Sequence, residues 1–330
     1  MTKSQPRLRR SLGGALLTGL ALLASGCAAS DAASGESSGA DVTTVSIGPT
    51  NSYQSLSVAQ TTGLLEDVLA ERDAQVEWKG PFPAFAPALE AANAGDIEVG
   101  TGGLTNYITA ITSGTPVVVI GIEDISASVG IVATKESAVT EVADLRGKKV
   151  AVNKGGTGEY LLLRALEQSE IAPSEVEFVY LAPEDAASAF NSGSVDAWAT
   201  WDQYFASAQL VPGATVVVTG TDIDNLNWTF QWVTQEFAEA HPELVQTITA
   251  TLAESSQAAA TDPEIIAELY RTNGASEEVI DLILSWPPYT FYPIGDAEIA
   301  MLEQHAADLA DYGLIDQAPD LNGTYFKFEE

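Results

Sequence analysis

Residues 149–166 read KVAVNKGGTGEYLLLRAL, and this stretch decides the fold. Its apolar alternation predicts a strand over 149–152, and the later spacing of apolar residues predicts a helix over 160–167. The glycine-rich segment Gly155-Gly156-Thr157-Gly158 lies between the two. A strand, a tight turn and a helix in this order are typical of α/β proteins with parallel strands.

The same alternation of strands and helices continues on both sides of this stretch. Before it, the pattern predicts strands over 42–48, 76–79, 97–100, 117–122 and 130–134, with helices over 56–72, 85–93 and 105–113. After it, the pattern predicts strands over 176–181, 197–200 and 214–218 and a helix over 186–191. From His241 onward it predicts helices alone, over 244–260, 263–270, 277–284 and 296–311. We therefore expect an α/β core with a helical C-terminal region packed on it.

The N-terminus has the three parts of a secretory signal. Four cationic residues precede an apolar run at 12–23, which is short for a membrane span, and Cys27 follows the sequence Leu-Ala-Ser-Gly at 23–26. This order predicts a lipoprotein signal peptide over 1–26 with lipidation at Cys27. The small and polar residues of 27–41 predict a flexible tether. The protein is thus expected outside the cytoplasm, anchored to the cell membrane.

Composition argues against several function classes. The formal net charge is −32, and all 46 acidic residues follow Cys27, so nucleic acid and anionic membrane surfaces are poor partners. Cys27 is the only cysteine, which leaves the folded part without disulfides, thiolate chemistry or sulfur-based zinc sites. His241 and His305 are the only histidines, and both are expected at the surface. We therefore predict no catalytic residues, no metal site and no cofactor.

Two glycine-rich segments have the chemistry of an anion site. Gly155-Gly156-Thr157-Gly158 precedes a predicted helix, and so does Gly100-Thr101-Gly102-Gly103. Free N–H groups at a helix N-terminus can hold an oxyanion without a lysine, so two such openings could form a clamp. For the first segment, a tight turn in which glycine relieves backbone crowding is an equal alternative. Nearby aromatic residues could form walls, although Trp198 and Trp232 are individually expected in the core.

Several motifs along the chain carry a family resemblance. They are DLRGKKVA at 144–151, KG at 154–155, LLLRAL at 161–166, ASAF at 187–190, GSVDAW at 193–198 and WD at 201–202, joined by FPA at 82–84, LEA at 89–91, GDI at 95–97 and PP at 287–288. Over 45–314 the sequence resembles the sulfonate, nitrate and taurine class of solute-binding proteins of ABC importers. The aliphatic-sulfonate branch is the most similar.

The resemblance implies a type II periplasmic-binding-protein fold, an α/β fold of two lobes with a ligand cleft between them. Lobe 1 would comprise 42–126 and 221–330, and lobe 2 would comprise 127–220. The crossings between lobes would lie near 124–129 and 218–222. The implied partners are a small-molecule ligand and the membrane permease of an ABC importer, and the protein is expected to be a monomer.

The resemblance also implies where the ligand binds. Family members use the loops that open helices of each lobe, which here contain Asn51, Ser52, Thr101, Gly102, Gly103, Gly155, Gly156, Thr157, Trp201 and Asp202.

Three departures from the family pattern bear on the ligand's charge. Pro49-Thr50-Asn51 stands where the sulfonate branch has an aromatic-glutamine-lysine stretch, Phe85 stands where glycine is common, and Glu159 replaces a neutral or histidine residue. Glu159 or Asp202 could instead pair with an ammonium, with cation-π contacts to aromatic residues. The aromatic candidates are Tyr53, Phe85, Tyr107 and Trp201.

The predicted function is therefore a solute-binding lipoprotein that delivers a small organic anion or zwitterion to an importer. An aliphatic sulfonate is favoured, and a taurine-like zwitterion remains open. One alternative is a binding protein for an amine-bearing heterocycle such as a vitamin precursor. Another, from a different class, is a thiamine-precursor synthesis enzyme of the same fold, but it lacks a cysteine or a suitably placed histidine for the chemistry.

Overall fold

A computed structural model describes residues 42–328, so the predicted signal peptide, Cys27 and the tether lie outside the described residues. The described chain forms two β-sheets with helices packed on them. The strands of the first sheet are β1 (Thr43–Gly48), β2 (Ala74–Trp78), β3 (Val99–Gly103), β4 (Val117–Glu123), β10 (Thr229–Thr234) and β11 (Phe291–Pro293). Those of the second are β5 (Val129–Ala133), β6 (Lys149–Val152), β7 (Glu177–Tyr180), β8 (Ala197–Trp201) and β9 (Thr215–Thr219).

Both sheets are mixed. In the first, the strand order is β11-β4-β10-β3-β1-β2; β1 runs parallel to β2 and β3, and β10 runs antiparallel to β3 and β4. In the second, the order is β7-β6-β8-β5-β9; β6 runs parallel to β7 and β8, and β5 runs antiparallel to β8 and β9. The predicted parallel strands are thus present, with antiparallel strands added to them.

Twelve α-helices cover the sheets in the described part of the chain. They are α1 (Ser55–Thr62), α2 (Leu64–Ala70), α3 (Phe85–Asn93), α4 (Leu104–Thr112), α5 (Thr157–Gln168), α6 (Pro183–Asn191), α7 (Asp202–Gln209), α8 (Gln235–Ala240), α9 (Pro242–Thr261), α10 (Pro263–Thr272), α11 (Glu277–Leu284) and α12 (Asp296–Asp311). No helix within 42–328 combines the length and apolarity needed to cross a membrane.

The predicted single helix over 56–72 is wrong, because the chain forms α1 and α2 there. Gly63 separates them with a φ of 72°, a left-handed conformation that ends α1. The short α2 then packs on β2 and α9. The elements α7, α8 and β11, which are all eight residues or shorter, were not predicted.

The chain passes between the sheets twice, through residues 124–128 and 220–228. The helical C-terminal region joins the two halves as well, since α10 contacts α1 while α11 contacts α7. Trp286, which follows α11, stacks on Phe205 of α7 with ring centroids 5.6 Å apart. Trp198 and Trp232 are buried, as expected of core residues.

Candidate functional site

A cavity of about 460 Å³ lies between the two sheets. The first sheet contributes residues 50–54 after β1, 83–86 after β2, and Gly102, Gly103 and Asn106 at the junction of β3 and α4. The second contributes Asn153, Lys154 and Thr157 after β6, 182–184 after β7 and 201–204 after β8. These segments all lie at the carboxyl ends of parallel strands, the edge at which α/β sheets bind ligands.

Eight of the twelve predicted ligand-binding residues line this cavity. They are Asn51, Ser52, Phe85, Gly102, Gly103, Thr157, Trp201 and Asp202. The other four, Thr101, Gly155, Gly156 and Glu159, are close to it in sequence but do not line it.

The expected row of free N–H groups at Gly100-Thr101-Gly102-Gly103 is wrong. This segment belongs to β3 and pairs with β10, and Thr101 is fully buried. The first N–H groups of α4 are also taken, because Leu104 donates to the Trp228 carbonyl at 2.9 Å and Thr105 donates to Asn227 Oδ1 at 2.8 Å. Gly102 and Gly103 still line the cavity, where Gly103 leaves room beside Thr157 and Gly102 allows the close approach of the Phe85 ring, which a Cβ would meet at 2.6 Å.

Most N–H groups of the other glycine segment also have protein acceptors. Gly155 donates to Glu159 Oε2 at 2.5 Å, Gly156 to the Asn153 carbonyl at 3.3 Å, and Gly158 to Asn153 Oδ1 at 2.8 Å. Gly155 has a φ of 64°, which favours glycine. The tight-turn alternative therefore describes this segment better than a row of free N–H groups, and Thr157 is the residue that it presents to the cavity.

The carboxylate of Glu159 points into its own loop. Besides the Gly155 N–H, it accepts a hydrogen bond from the Tyr180 hydroxyl at 2.7 Å. The side chain is buried. Its role in the structure is to hold the turn after β6.

Asp202 is a buried carboxylate that links the two halves. It follows β8 with a φ of 54° and accepts a hydrogen bond from the hydroxyl of Tyr270 in α10. Burial raises the pKa of Asp202 to about 6, although hydrogen bonds from Tyr270, Ser52 and the Tyr53 N–H oppose the rise. Asp202 thus contacts the cavity with its oxygens already engaged by protein donors.

A second buried carboxylate, Glu123, lies at the end of β4 and was not among the predicted site residues. Its Oε1 accepts from the Ser55 N–H at 2.8 Å and from the Ser55 hydroxyl, and its Oε2 accepts from Gln231 Nε2 at 2.5 Å. Burial raises its pKa. Because Glu123 looked like one of many acidic residues in sequence, only the pairing of β4 with β10 and β11 reveals its position.

Charged side chains at the cavity are few. Among the described residues that line it, Lys154 is the one cation, while Glu184 and Asp202 are the acids. Glu184 Oε1 accepts a hydrogen bond from the Tyr204 hydroxyl at 3.1 Å. Asn106 Nδ2 donates across the cleft to the Gly155 carbonyl at 3.0 Å. Asn106 and Glu184 were missed because they carry no motif of their own, and Lys154 was noted only as part of the family motif at 154–155.

Five aromatic side chains line the cavity: Tyr53, Phe85, Trp201, Tyr204 and Tyr289. Tyr107, a predicted cation-π residue, is fully buried elsewhere, where its hydroxyl donates to the Thr324 carbonyl at 2.7 Å.

The expectation that His305 lies at the surface is wrong. Its ring is fully buried against Tyr160, with ring centroids 4.5 Å apart, and burial lowers its pKa to about 3. His241 is partly exposed beside Phe237. Within the described residues, no cluster of three His, Cys, Asp or Glu side chains could hold a metal ion.

Comparison with known proteins places this two-sheet architecture in a family. The family model described as NMT1/THI5 like matches residues 74–266, more than half of the chain. The chain belongs to the NMT1/THI5-like family. A protein of Escherichia coli (strain K12) named for the binding of aliphatic sulfonates is 35% identical over 279 residues, which cover 81% of this chain and 87% of that protein.

Two further comparisons support the same relationship. The taurine-binding periplasmic protein of Escherichia coli (strain K12) is 27% identical over 223 residues, covering 63% of this chain and 67% of that protein. The crystal structure of the periplasmic aliphatic sulphonate-binding protein SsuA from Escherichia coli matches with a TM-score of 0.78 and 32% identity, over 86% of this chain and 92% of that one. The predicted family resemblance and the periplasmic-binding-protein fold are confirmed.

The NMT1/THI5-like chain also shares its fold with an enzyme. The desulfurization enzyme DSZB matches with a TM-score of 0.61 at 18% identity, over 86% of this chain and 96% of that one. At this identity the likeness concerns the fold alone.

Proposed function

We propose that this protein is the extracytoplasmic solute-binding component of an ABC importer and that it captures a small organic sulfonate. The observation that carries the proposal is the cavity of about 460 Å³, which is lined by the strand ends of both sheets. Its volume is within the range of small-molecule sites. A ligand that contacts both halves favours their closed arrangement, which is the state that a permease would recognise.

The chemistry of the cavity suits an anion held mainly by neutral donors. Asn51, Ser52, Asn106 and Thr157 supply polar groups, and Lys154 supplies one positive charge. The first turn of α3 also faces the cavity at Phe85 and Ala86, and no side chain caps that helix. Helix N-termini favour negative charge. These features support an oxyanion such as a sulfonate with an organic tail against the aromatic residues.

Glu184 supports the zwitterionic variant of this proposal. It is exposed, it lines the cavity and it accepts a hydrogen bond from the Tyr204 hydroxyl, and the Trp201 ring lies 6.1 Å from the Tyr204 ring between centroids. A carboxylate next to aromatic rings can hold an ammonium group. A taurine-like aminosulfonate could therefore place its sulfonate near Thr157 and its ammonium near Glu184.

The proposal also covers the division into lobes, the membrane anchor and the absence of catalysis. We assign lobe 1 to 42–126 with 221–330 and lobe 2 to 127–220, and we expect a monomer tethered by lipid on Cys27. We also propose that the protein is not an enzyme. Among the described residues that line the cavity there is neither a histidine nor a cysteine to act as base or nucleophile.

A Gly103→Ala variant tests the site. A Cβ at Gly103 would lie 3.4 Å from Thr157 Oγ1 and 3.5 Å from Asn106 Oδ1, and the φ of −90° suits alanine. The methyl group should therefore fill the polar corner without disturbing the fold. In calorimetric titrations with ethanesulfonate and taurine, we expect the dissociation constant to rise about tenfold or more. A rise of that size corresponds to the loss of about one good hydrogen bond between the protein and the ligand.

Gly295→Ala is the matched control, since Gly295 has a φ of −124° and does not line the cavity. It should bind like the wild type. The site assignment fails if Gly103→Ala binds these sulfonates with unchanged affinity. The sulfonate proposal itself fails if neither compound binds the wild-type protein.

A further inference from the structure

Four buried side chains form a hydrogen-bonded relay from the core of the first sheet to the cavity. His305 Nε2 lies 3.1 Å from Thr105 Oγ1, which lies 2.8 Å from Asn227 Oδ1. Asn227 Nδ2 lies 2.9 Å from Thr157 Oγ1. The first three residues are fully buried, and Thr157, the one that lines the cavity, is 8% exposed.

The backbone of Thr105 fixes the direction of this relay. Its N–H can only donate, and the acceptor is Asn227 Oδ1 at 2.8 Å. The amide oxygen of Asn227 must therefore face Thr105, which leaves Nδ2 to face Thr157. Since Nδ2 can only donate, Thr157 Oγ1 is the acceptor of that bond.

The hydroxyl of Thr105 determines which nitrogen of His305 carries the proton. Thr105 Oγ1 lies within reach of Asn227 Oδ1, an acceptor, so the Thr105 hydroxyl donates there. It must then accept from His305, which requires a proton on Nε2. His305 Nδ1 has no hydrogen-bond partner in the described structure. The pKa of about 3 keeps the ring neutral with a single proton.

We propose that this relay makes the Thr157 hydroxyl a fixed donor to the ligand and thereby selects an oxyanion at that corner of the cavity. Because Thr157 Oγ1 already accepts from Asn227, its own proton is directed elsewhere, and none of the described hydrogen bonds gives that proton a protein acceptor. An ammonium group at the same point would have only the second lone pair of Thr157 Oγ1 to donate to, whereas an oxyanion accepts the hydroxyl proton. Thr157 is the specificity-determining residue, while Asn227, Thr105 and His305 are positioning residues.

Gly103 is consistent with this assignment. A Cβ there would contact the oxygens of Thr157, Asn106 and Asn227 at 3.4, 3.5 and 3.8 Å. The absence of a side chain therefore leaves room for a ligand atom against the Thr157 hydroxyl. The inference rests on the proposed function, because it names the group that recognises the anion.

The histidine tautomer provides a test that needs no ligand. In ¹⁵N-histidine-labelled protein, nuclear magnetic resonance should show His305 as the neutral Nε2–H form from pH 5 to pH 8. His241→Gln removes the other histidine and so assigns the signals. A Nδ1–H tautomer, or a protonated ring in this range, would overturn the direction of the relay.

Ligand affinity provides the second test, with ethanesulfonate and taurine as probes. Thr157→Val keeps the shape but loses the hydroxyl, and we expect its dissociation constants to rise at least about tenfold. Thr157→Ser keeps the hydroxyl and should remain within about threefold of the wild type. Thr249→Val is the matched control, since Thr249 is a buried threonine of α9 whose hydroxyl donates to the Val245 carbonyl away from the cavity.

The two tests separate the possible failures. Unchanged affinity of Thr157→Val, with both sulfonates bound by the wild type, would overturn the role of Thr157 while leaving the proposed function intact. Failure of both sulfonates to bind the wild type would overturn the proposed function and the recognition role together. In that case an Nε2–H tautomer would still establish the direction of the relay.

Discussion

Replacing Tyr270 by phenylalanine tests the carboxylate that links the two halves of the molecule. Tyr270 is fully buried in α10, and its hydroxyl donates to Asp202 at the start of α7. The substitution removes one oxygen atom and leaves the ring. Asp202 then retains fewer donors in a site that is 4% exposed.

The size of the effect depends on the charge of Asp202. A hydrogen bond to a charged group contributes about 1.5–3 kcal/mol, against about 0.5–1.5 kcal/mol between neutral groups. The folded-state pKa of about 6 lies above the ordinary value of 3.8. Asp202 is thus mostly neutral at pH 5 and ionised at pH 8. We expect Tyr270→Phe to lower the free energy of unfolding by about 2–3 kcal/mol at pH 8 and by about 1 kcal/mol at pH 5.

The sign of the pH dependence follows from linkage. Because the pKa of Asp202 is raised in the folded state, its contribution to stability is greatest below about pH 4 and declines as the pH rises through 6. Loss of the Tyr270 donor raises that pKa further, since the donor favours the ionised form. Between pH 5 and pH 8, the free energy of unfolding therefore falls by more in the variant than in the wild type.

Urea unfolding of the wild type and the variant at pH 5 and pH 8 measures the loss in the free energy of unfolding at each pH. Tyr289→Phe is the matched control, because Tyr289 is also buried and its hydroxyl donates to Ser128 Oγ, a neutral partner, at 2.6 Å. Its destabilisation should not change with pH. If the loss in Tyr270→Phe is the same at both pH values, Asp202 does not titrate in this range and the reasoning is refuted.

Two other substitutions test the turn after β6 and the predicted anchor. Glu159→Gln should lower the free energy of unfolding by about 1 kcal/mol and change sulfonate affinity less than about threefold, because Glu159 holds the Gly155 N–H and the Tyr180 hydroxyl. A tenfold change in calorimetric affinity for taurine would instead place its carboxylate at the ligand. Cys27→Ser should move the protein from the membrane fraction to the soluble fraction without changing the unfolding midpoint, and retention in salt-washed membranes would contradict the lipoprotein prediction.

Local sequence determined some elements well. The bounds of α3, α11, α12 and β6 agree with the apolar periodicity, because each of these elements packs one regular face on its neighbours. The helix predicted over 56–72 failed at Gly63, where a single left-handed residue divides a continuous apolar pattern. β11 contains three residues and exists because β4 lies beside it, a contact that no local pattern contains.

The site was harder to predict than the fold because hydrogen-bond partners come from distant segments. Gly100-Thr101-Gly102-Gly103 reads locally as a helix opening, but its pairing with β10 makes it a strand. Glu159 and Asp202 read as free carboxylates, yet Tyr180 and Tyr270 supply donors to them. His305 reads as a polar helix residue, and only its contact with Thr105, 200 residues away, reveals a buried relay. Composition indicates which groups exist, whereas tertiary pairing decides which remain available to a ligand.

This distinction explains how so acidic a chain could hold an anion. The net charge of −32 acts mainly from the surface, where salt screens it over about 10 Å. Glu159, beside the cleft, is bound to its own turn, and Asp202, in the cleft, is bound to the opposite half, so neither presents a free oxygen in the way that its position in sequence suggests. The groups left facing the cavity are Lys154, several neutral donors and the oriented hydroxyl of Thr157, with Glu184 as the one exposed acid among the described lining residues. A hydroxyl and amides that are fixed before the ligand arrives lose little conformational entropy on binding, and their dipoles are stronger where water is excluded. The selectivity of the cleft for an oxyanion would then depend on the direction of its hydrogen bonds more than on charge.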